Sequence, residues 1–260
     1  MLSVLGTPLQ VTDYAALTAR CHALARESRP VAVEFANTHL VTLRRHSPPF
    51  RELTSATDLF IPDGIPLVWC MNRAGAGLND RVYGPEFMRR FITASPGPFS
   101  HYLLGGSAEC GAKLRDAARS WNAGVQIAGS FHGISGNDGI LEGAAEREVI
   151  EELNRLSPDF IWVGLGTPKQ QAWIHRNKPL LRRGVVLSVG YAFDVNASTK
   201  PDAPPWMQRR GLTWLFRLTS EPGRLAGRYL LYNSLFLAYL IWDSVRGRAG
   251  AKSAENPPRP

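Results

Sequence analysis

Apolar positions in this chain fall into short continuous runs separated by longer mixed stretches. Val31–Phe35, Leu59–Ile61, Tyr102–Leu104, Val125–Ala128, Phe160–Val163 and Val185–Val189 are each expected to form a strand. Between them, Pro66–Arg73 and Pro85–Phe91 read as helices with proline in the first turn, where a missing N–H costs little. Ala108–Trp121, the Glu- and Arg-laced Leu141–Leu156, and a segment from Pro168 through Trp173 complete the helical set. A polar loop is expected between His39 and Leu59, and a Gly-rich loop around Gly129, Gly133, Gly136 and Gly139. Strands alternating with helices predict an α/β fold: a Rossmann-like, mostly parallel sheet with helices on both faces. Ligands of such sheets gather at the carboxyl ends of the strands. Asn37, Asp63, Gly105-Gly106, Gly164-Leu165-Gly166 and Asp194 all fall at such ends.

The pattern changes at Trp206. From there the chain is aromatic and basic, and an uncharged run, Tyr229–Trp242, lies between Arg228 and Asp243. It is shorter than the roughly 20 apolar residues that span a bilayer, but suits an interfacial helix or one packed on the body or on a second subunit. Residues 247–260 are small, polar and Pro-rich, and are expected to be disordered. The expected organisation is a body over 1–205, a helical, membrane-associating appendage over 206–246 and a tail over 247–260.

Composition narrows the function classes. With 260 residues, 44% of them apolar and 20% charged, wholesale disorder is excluded. Cys21, Cys70 and Cys110 are too scattered for a zinc motif and odd in number for a disulfide framework, which favours a reducing compartment. No secretory signal is read at the N-terminus, where Pro8 interrupts the apolar run. The net charge of +8 calls for an acidic partner: nucleic acid, an anionic membrane or a phosphorylated substrate. From Trp206 onward there are nine Arg/Lys against three Asp/Glu, so +6 of the +8 sits in the tail. Cations mixed with Trp and Tyr suit the headgroup boundary of an anionic membrane and set nucleic acid aside.

The chemistry-bearing groups follow. Gly105-Gly106-Ser107 and Gly164-Leu165-Gly166-Thr167-Pro168 each pass from strand to helix, where backbone N–H groups can meet a phosphate. Neither ends in the Gly-Lys-Ser/Thr of a Walker loop, and each is equally readable as a tight turn. Asp63, in Ile-Pro-Asp-Gly, is either a turn residue or a general base. Asn37 and His39 can hydrogen-bond a sugar, and Lys169 and Gln170 open a helix at the same edge. There is no Asp-x-Asp pair, no His-x-x-x-His and no Gly-x-Ser-x-Gly, so no metal and no serine nucleophile is expected. A departing diphosphate would be met by backbone N–H groups and by arginines such as Arg81.

Taken in order, Asn37-Thr38-His39, Pro62-Asp63-Gly64, Arg81-Val82-Tyr83-Gly84, Gly105-Gly106, His132-Gly133, Pro158-Asp159 and Val163-Gly164-Leu165-Gly166-Thr167-Pro168-Lys169-Gln170 resemble the WecG/TagA/CpsF glycosyltransferases. The likeness continues through Phe193-Asp194, Ala203-Pro204, Trp214, Arg217-Leu218, Glu221-Pro222, Arg224 and Arg228-Tyr229, and covers roughly residues 30 to 230. The resemblance implies an inverting, metal-independent, cofactor-free transfer from a UDP-sugar to a polyprenyl-diphosphate-linked saccharide. Such enzymes work at the cytoplasmic membrane face in surface-polymer synthesis. It implies Asp63 as the base and Asn37, Arg81, Gln170 and Asp194 around the sugar nucleotide. Arg217, Arg224 and Arg228 are implied near the diphosphate and membrane. His39, Gly105, Gly106, Gly164, Gly166, Lys169 and Tyr191 join them as candidate substrate contacts, and self-association is a further expectation. The chain departs from the family pattern at Phe35, Gln171, Tyr191, Asp202 and Thr213, which suggests an altered donor or acceptor site. Two other classes remain open: a non-catalytic membrane-associated scaffold, and a Rossmann oxidoreductase. The latter is disfavoured by the missing third glycine and by the lack of an acidic residue about 20 positions after Gly166.

Overall fold

The computed structural model describes residues 1–95, 97–132 and 143–246. Eight strands form one sheet: β1 (Leu2–Val4), β2 (Thr7–Leu9), β3 (Pro30–Ala36), β4 (Leu59–Pro62), β5 (Ser100–Gly105), β6 (Gln126–Phe131), β7 (Phe160–Gly164) and β8 (Gly184–Ser188). Their spatial order is β1-β2-β4-β3-β8-β7-β5-β6. Among the described residues only the β1–β2 hairpin is antiparallel, and the other pairings are parallel. This is the α/β arrangement expected from the runs of apolar residues.

Twelve α-helices among the described residues cover the sheet. The body contributes α1 (Tyr14–Leu24), α2 (Thr38–His46), α3 (Pro48–Leu53), α4 (Ile65–Arg73), α5 (Gly84–Thr93), α6 (Ala108–Trp121), α7 (Ala144–Leu156), α8 (Lys169–Asn177) and the short α9 (Ala192–Asn196). After them come α10 (Pro205–Arg209), α11 (Thr213–Ser220) and α12 (Pro222–Val245). The strand period of two divides the core cleanly. Phe160 and Trp162 of β7 and Val185 and Leu187 of β8 pack on one face with α1, α5 and α6. Ile161, Val163 and Val186 point the opposite way, against Val149 and Leu153 of α7 and Trp173 and Ile174 of α8.

The stretch after Asn37 is a helix pair rather than a polar loop. Asn37 Oδ1 accepts from the Leu40 N–H at 3.0 Å, a capping bond that starts α2. Arg44, Arg45 and His46 fill its last turn, where cations favour the helix dipole. Leu40 and Val41 bury against Phe50, Leu67, Met71 and Phe236, a third core cluster that α12 shares. Arg45 pairs with Asp243 at 3.1 Å, and His46 bonds the Tyr239 hydroxyl at 2.8 Å, so α2 and α12 are tied side by side. Gly129 belongs to β6. Gly133, Gly136, Gly139, the beginning of the Leu141–Leu156 segment and the tail from 247 lie outside the described residues. Among the described residues no helix is long and apolar enough to cross a membrane.

Candidate active site

The carboxyl ends of β3, β4 and β8, with the first turns of α2 and α8, enclose a cavity of about 440 Å³. That falls in the range of small-molecule sites, about 300–1,000 Å³. α11 and the start of α12 close it from the far side. Asn37, His39, Asp63, Arg81, Gly166, Lys169, Gln170, Tyr191, Arg217, Arg224 and Arg228 all line it. Gly105, Gly106, Gly164 and Asp194 are not part of its wall. Their surroundings give other reasons for these residues. A Cβ on Gly105 would stand 2.6 Å from the Gly164 carbonyl carbon, and one on Gly164 would stand 2.5 Å from the Phe193 ring. A Cβ on Gly106 would meet Cys110 Sγ at 3.0 Å. Asp194 accepts from the Thr199 hydroxyl at 3.1 Å and faces Lys200 at 3.8 Å.

Asp63 follows β4 directly, and its N–H continues the sheet by donating to Ala36 O at 2.8 Å. Its Oδ1 is buried and has no hydrogen-bond partner. Burial pushes its carboxyl from 3.8 up to about 7, against the opposing pull of Arg81, the Gly84 backbone N–H and Arg217. A carboxylate with an uncommitted oxygen and a pKa near neutrality is suited to accept a proton. Arg81 stands beside it, with Nη1 donating to Asp63 O at 3.2 Å and Nη2 to Thr213 Oγ1 at 3.1 Å. Its guanidinium lies over the Tyr83 ring at 4.1 Å. Asn37 spends Oδ1 on its capping bond, leaving Nδ2 for a ligand. His39 sits edge-on to Tyr232 at 4.6 Å; burial first, then Arg228 and Arg217, lowers its pKa to about 4 and keeps the ring neutral at pH 7.

A second carboxyl escapes the sequence analysis. Glu34 is fully buried in β3, paired in register with Ser188 of β8, and lines the same cavity. Gln170 Nε2 donates to Glu34 Oε1 at 3.3 Å, while Gln170 Oε1 accepts from the Gly166 N–H at 3.2 Å. Glu34 Oε2 has no partner. Burial raises the Glu34 pKa to about 8, outweighing the neighbouring side chains of Gln171, Ser188 and Gln170. Glu34 thus fixes the orientation of the Gln170 amide. The available signal was one acid inside the otherwise apolar run Val-Ala-Val-Glu-Phe-Ala.

Two of the positions that depart from the family pattern, Tyr191 and Thr213, tie the segment after Trp206 to this wall. Arg217 lies over the Tyr191 ring at 4.0 Å, and the Tyr191 hydroxyl donates to Pro201 O at 2.9 Å. Asp202 accepts from the Tyr83 hydroxyl at 2.6 Å, and Thr213 accepts from Arg81. Arg217 Nε is buried without a partner. Arg224 pairs with Glu221 at 2.5 Å, and Arg228 has its pKa lowered by burial and by Arg224 and Arg217. Three guanidinium groups crowded at one cavity mouth make a site for an anion. Among the described residues no group of three or more His, Cys, Asp or Glu side chains is placed to hold a metal ion.

Residues 2–250 match the Glycosyl transferase WecG/TagA/CpsF family. The chain belongs to this family. Among its WecG/TagA/CpsF relatives is an N-acetylglucosaminyldiphosphoundecaprenol N-acetyl-beta-D-mannosaminyltransferase of Bacillus spizizenii, 26% identical over 190 residues, which are 73% of this chain and 71% of that protein. Proteins with the same description from Staphylococcus aureus and Bacillus subtilis are 27% and 26% identical. Those alignments cover 73% and 66% of this chain, and 69% and 65% of the relatives. The family makes the protein a glycosyltransferase, so the cavity with Asp63 and its arginines is the candidate active site.

Proposed function

We propose that the protein transfers a hexosyl or N-acetylhexosaminyl group from a UDP-sugar to a saccharide on a polyprenyl diphosphate, with inversion and without a metal. The acceptor follows the relatives, whose names specify N-acetylglucosamine on diphosphoundecaprenol as acceptor and N-acetylmannosamine as the transferred sugar. The observation that carries the mechanism is Asp63, a cavity-wall carboxyl with a buried free oxygen and a pKa near 7. Asp63 Oδ1 takes the proton of the acceptor hydroxyl as its oxygen bonds to the anomeric carbon. The bond from that carbon to the UDP oxygen breaks on the opposite face, so the configuration inverts. Charge growing on UDP is met by Arg217, Arg224 and Arg228, with the buried Arg217 Nε–H as a ready donor.

The apolar side chains Leu230, Leu237, Ile241 and Val245 leave one face of α12 open, with exposures reaching 81% at Val245. With the basic residues beside it, this face would dock on the cytoplasmic leaflet of a bacterial membrane, where a lipid-linked acceptor resides. Replacement of Asp63 by Asn is expected to lower kcat by about 10²–10⁴-fold while UDP-sugar affinity is kept. Near-native turnover of Asp63→Asn would overturn the base assignment.

A further inference from the structure

A second cavity, of about 740 Å³, adjoins the first. Its floor is the β1–β2 turn (Val4, Leu5, Gly6), one wall is Trp69, Cys70 and Ala74 of α4 and its end, and the other is Phe236, Leu237 and Leu240 of α12. The two cavities share Thr38, Pro66 and Trp214. The junction therefore lies one residue from Asn37 and three from Asp63. Its outer lip is unusually apolar for a surface exposed to water: Trp69 is 59% exposed and Leu237 60%. Leu237 also belongs to the open face of α12, so the groove runs from the outer surface of that helix to the edge of the cavity that Asp63 lines.

We propose that this groove seats the first isoprene units of the acceptor lipid, next to its diphosphate. The inference rests on the proposed function, because a polyprenyl diphosphate is the occupant that function supplies. Three features choose an isoprenoid over a peptide or a second copy of the chain. The stretch between Trp69, Cys70 and Ala74 on one side and Phe236, Leu237 and Leu240 on the other offers aromatic and aliphatic carbon, which suits a hydrocarbon chain, while Arg45, Arg73, Asn233 and Asp243 also line the cavity. The open end meets the face that would lie on the bilayer. The inner end meets a cavity whose mouth carries Arg217, Arg224 and Arg228. A lipid-linked sugar would thus lie with its hydroxyl at Asp63, its diphosphate at the arginines and its tail between α4 and α12. Leu230 and Val245 lie on the open face of α12 and do not line the groove, so substitutions there separate membrane docking from tail binding.

Direct binding tests this without turnover. The full chain in mild detergent is titrated calorimetrically with dimethylallyl diphosphate and with farnesyl diphosphate, which share a headgroup and differ only in tail length. Farnesyl diphosphate is expected to bind at least about tenfold more tightly, and Cys70→Trp or Ala74→Phe, which fill the groove, should erase that advantage. Leu230→Ser with Val245→Ser should leave it intact. Dimethylallyl diphosphate affinity unchanged in the filled variants shows that they fold. Equal affinity for the two diphosphates would overturn the inference. So would an advantage lost only in the Leu230/Val245 variant, since the tail would then lie on the open face. Failure of glycosyl transfer with tail-dependent binding retained would count against the proposed function and leave the groove standing.

Discussion

Asp63 and Glu34 reach one cavity from neighbouring strands, both with raised pKa values, and their contacts give them different tasks. Asp63 lines the cavity with one oxygen uncommitted, so under the proposed mechanism the rate should depend on its ionisation. The kcat/KM profile is expected to rise with pH through an apparent pKa near 7, the value burial gives Asp63. A flat profile between pH 6 and 8 would contradict this. Glu34 instead holds Gln170. Its folded pKa of about 8 stands above the ordinary 4.5, so the folded chain keeps a proton that the unfolded chain gives up. The stability this supplies is complete below pH 4.5 and is lost as pH rises to 8. Thermal melting should therefore show Glu34→Gln gaining on the native protein across that window and holding the gain above it. Parallel melting curves would refute the proton assignment. The glycines divide in the same way. Gly166 and Gly190, with φ of +76° and +50°, bracket Gln170 at the cavity. Gly164 exists for the Phe193 ring, and Gly164→Ala should cost about 1–3 kcal/mol by overpacking, read as a lowered Tm.

Elements that alternate buried strands with helices were legible in the sequence because their apolar residues are contiguous. α2 was hidden because its basic last turn, Arg44-Arg45-His46, dominates the local polarity, whereas Leu40, Val41 and even Arg44 are buried once α12 and the β1–β2 hairpin are in place. Asp63 and the arginines were flagged by the family resemblance, since Ile-Pro-Asp-Gly alone reads equally as a turn, and the fold brings them to one cavity. Glu34 was not, since nothing local distinguishes a cavity acid from a misplaced one. The departures at Tyr191, Asp202 and Thr213 suggested an altered site; in the fold they are contacts that brace Arg217, Tyr83 and Arg81. Removing the ring under Arg217 by Tyr191→Leu is expected to weaken UDP-sugar binding. A cation–π contact of about 0.5–2 kcal/mol corresponds to roughly two- to thirtyfold in Kd. For α12, replacing Leu230, Ile241 and Val245 together by Ser should reduce co-sedimentation with anionic vesicles at least tenfold. Undiminished binding would place the membrane contact elsewhere.

Across the whole molecule, charge and chemistry are arranged along one line. Residues 1–205 are nearly neutral and hold Asp63 at the edge of the sheet, while most of the excess positive charge follows Trp206. α11 and α12 bring Arg217, Arg224 and Arg228 to the cavity, so that these arginines and the apolar face of α12 belong to one element pair. A donor entering from water and an acceptor entering from a bilayer could meet at Asp63 without either crossing the other's path. Mass spectrometry of the lipid product tests this most directly. The protein is incubated with a panel of UDP-sugars and N-acetylglucosamine linked through diphosphate to a polyprenol, and the glycolipid is weighed. The account predicts a product heavier by one sugar residue with one donor, UDP released in equal amount, and no product from Asp63→Asn. An acceptor of unchanged mass with every donor would contradict it.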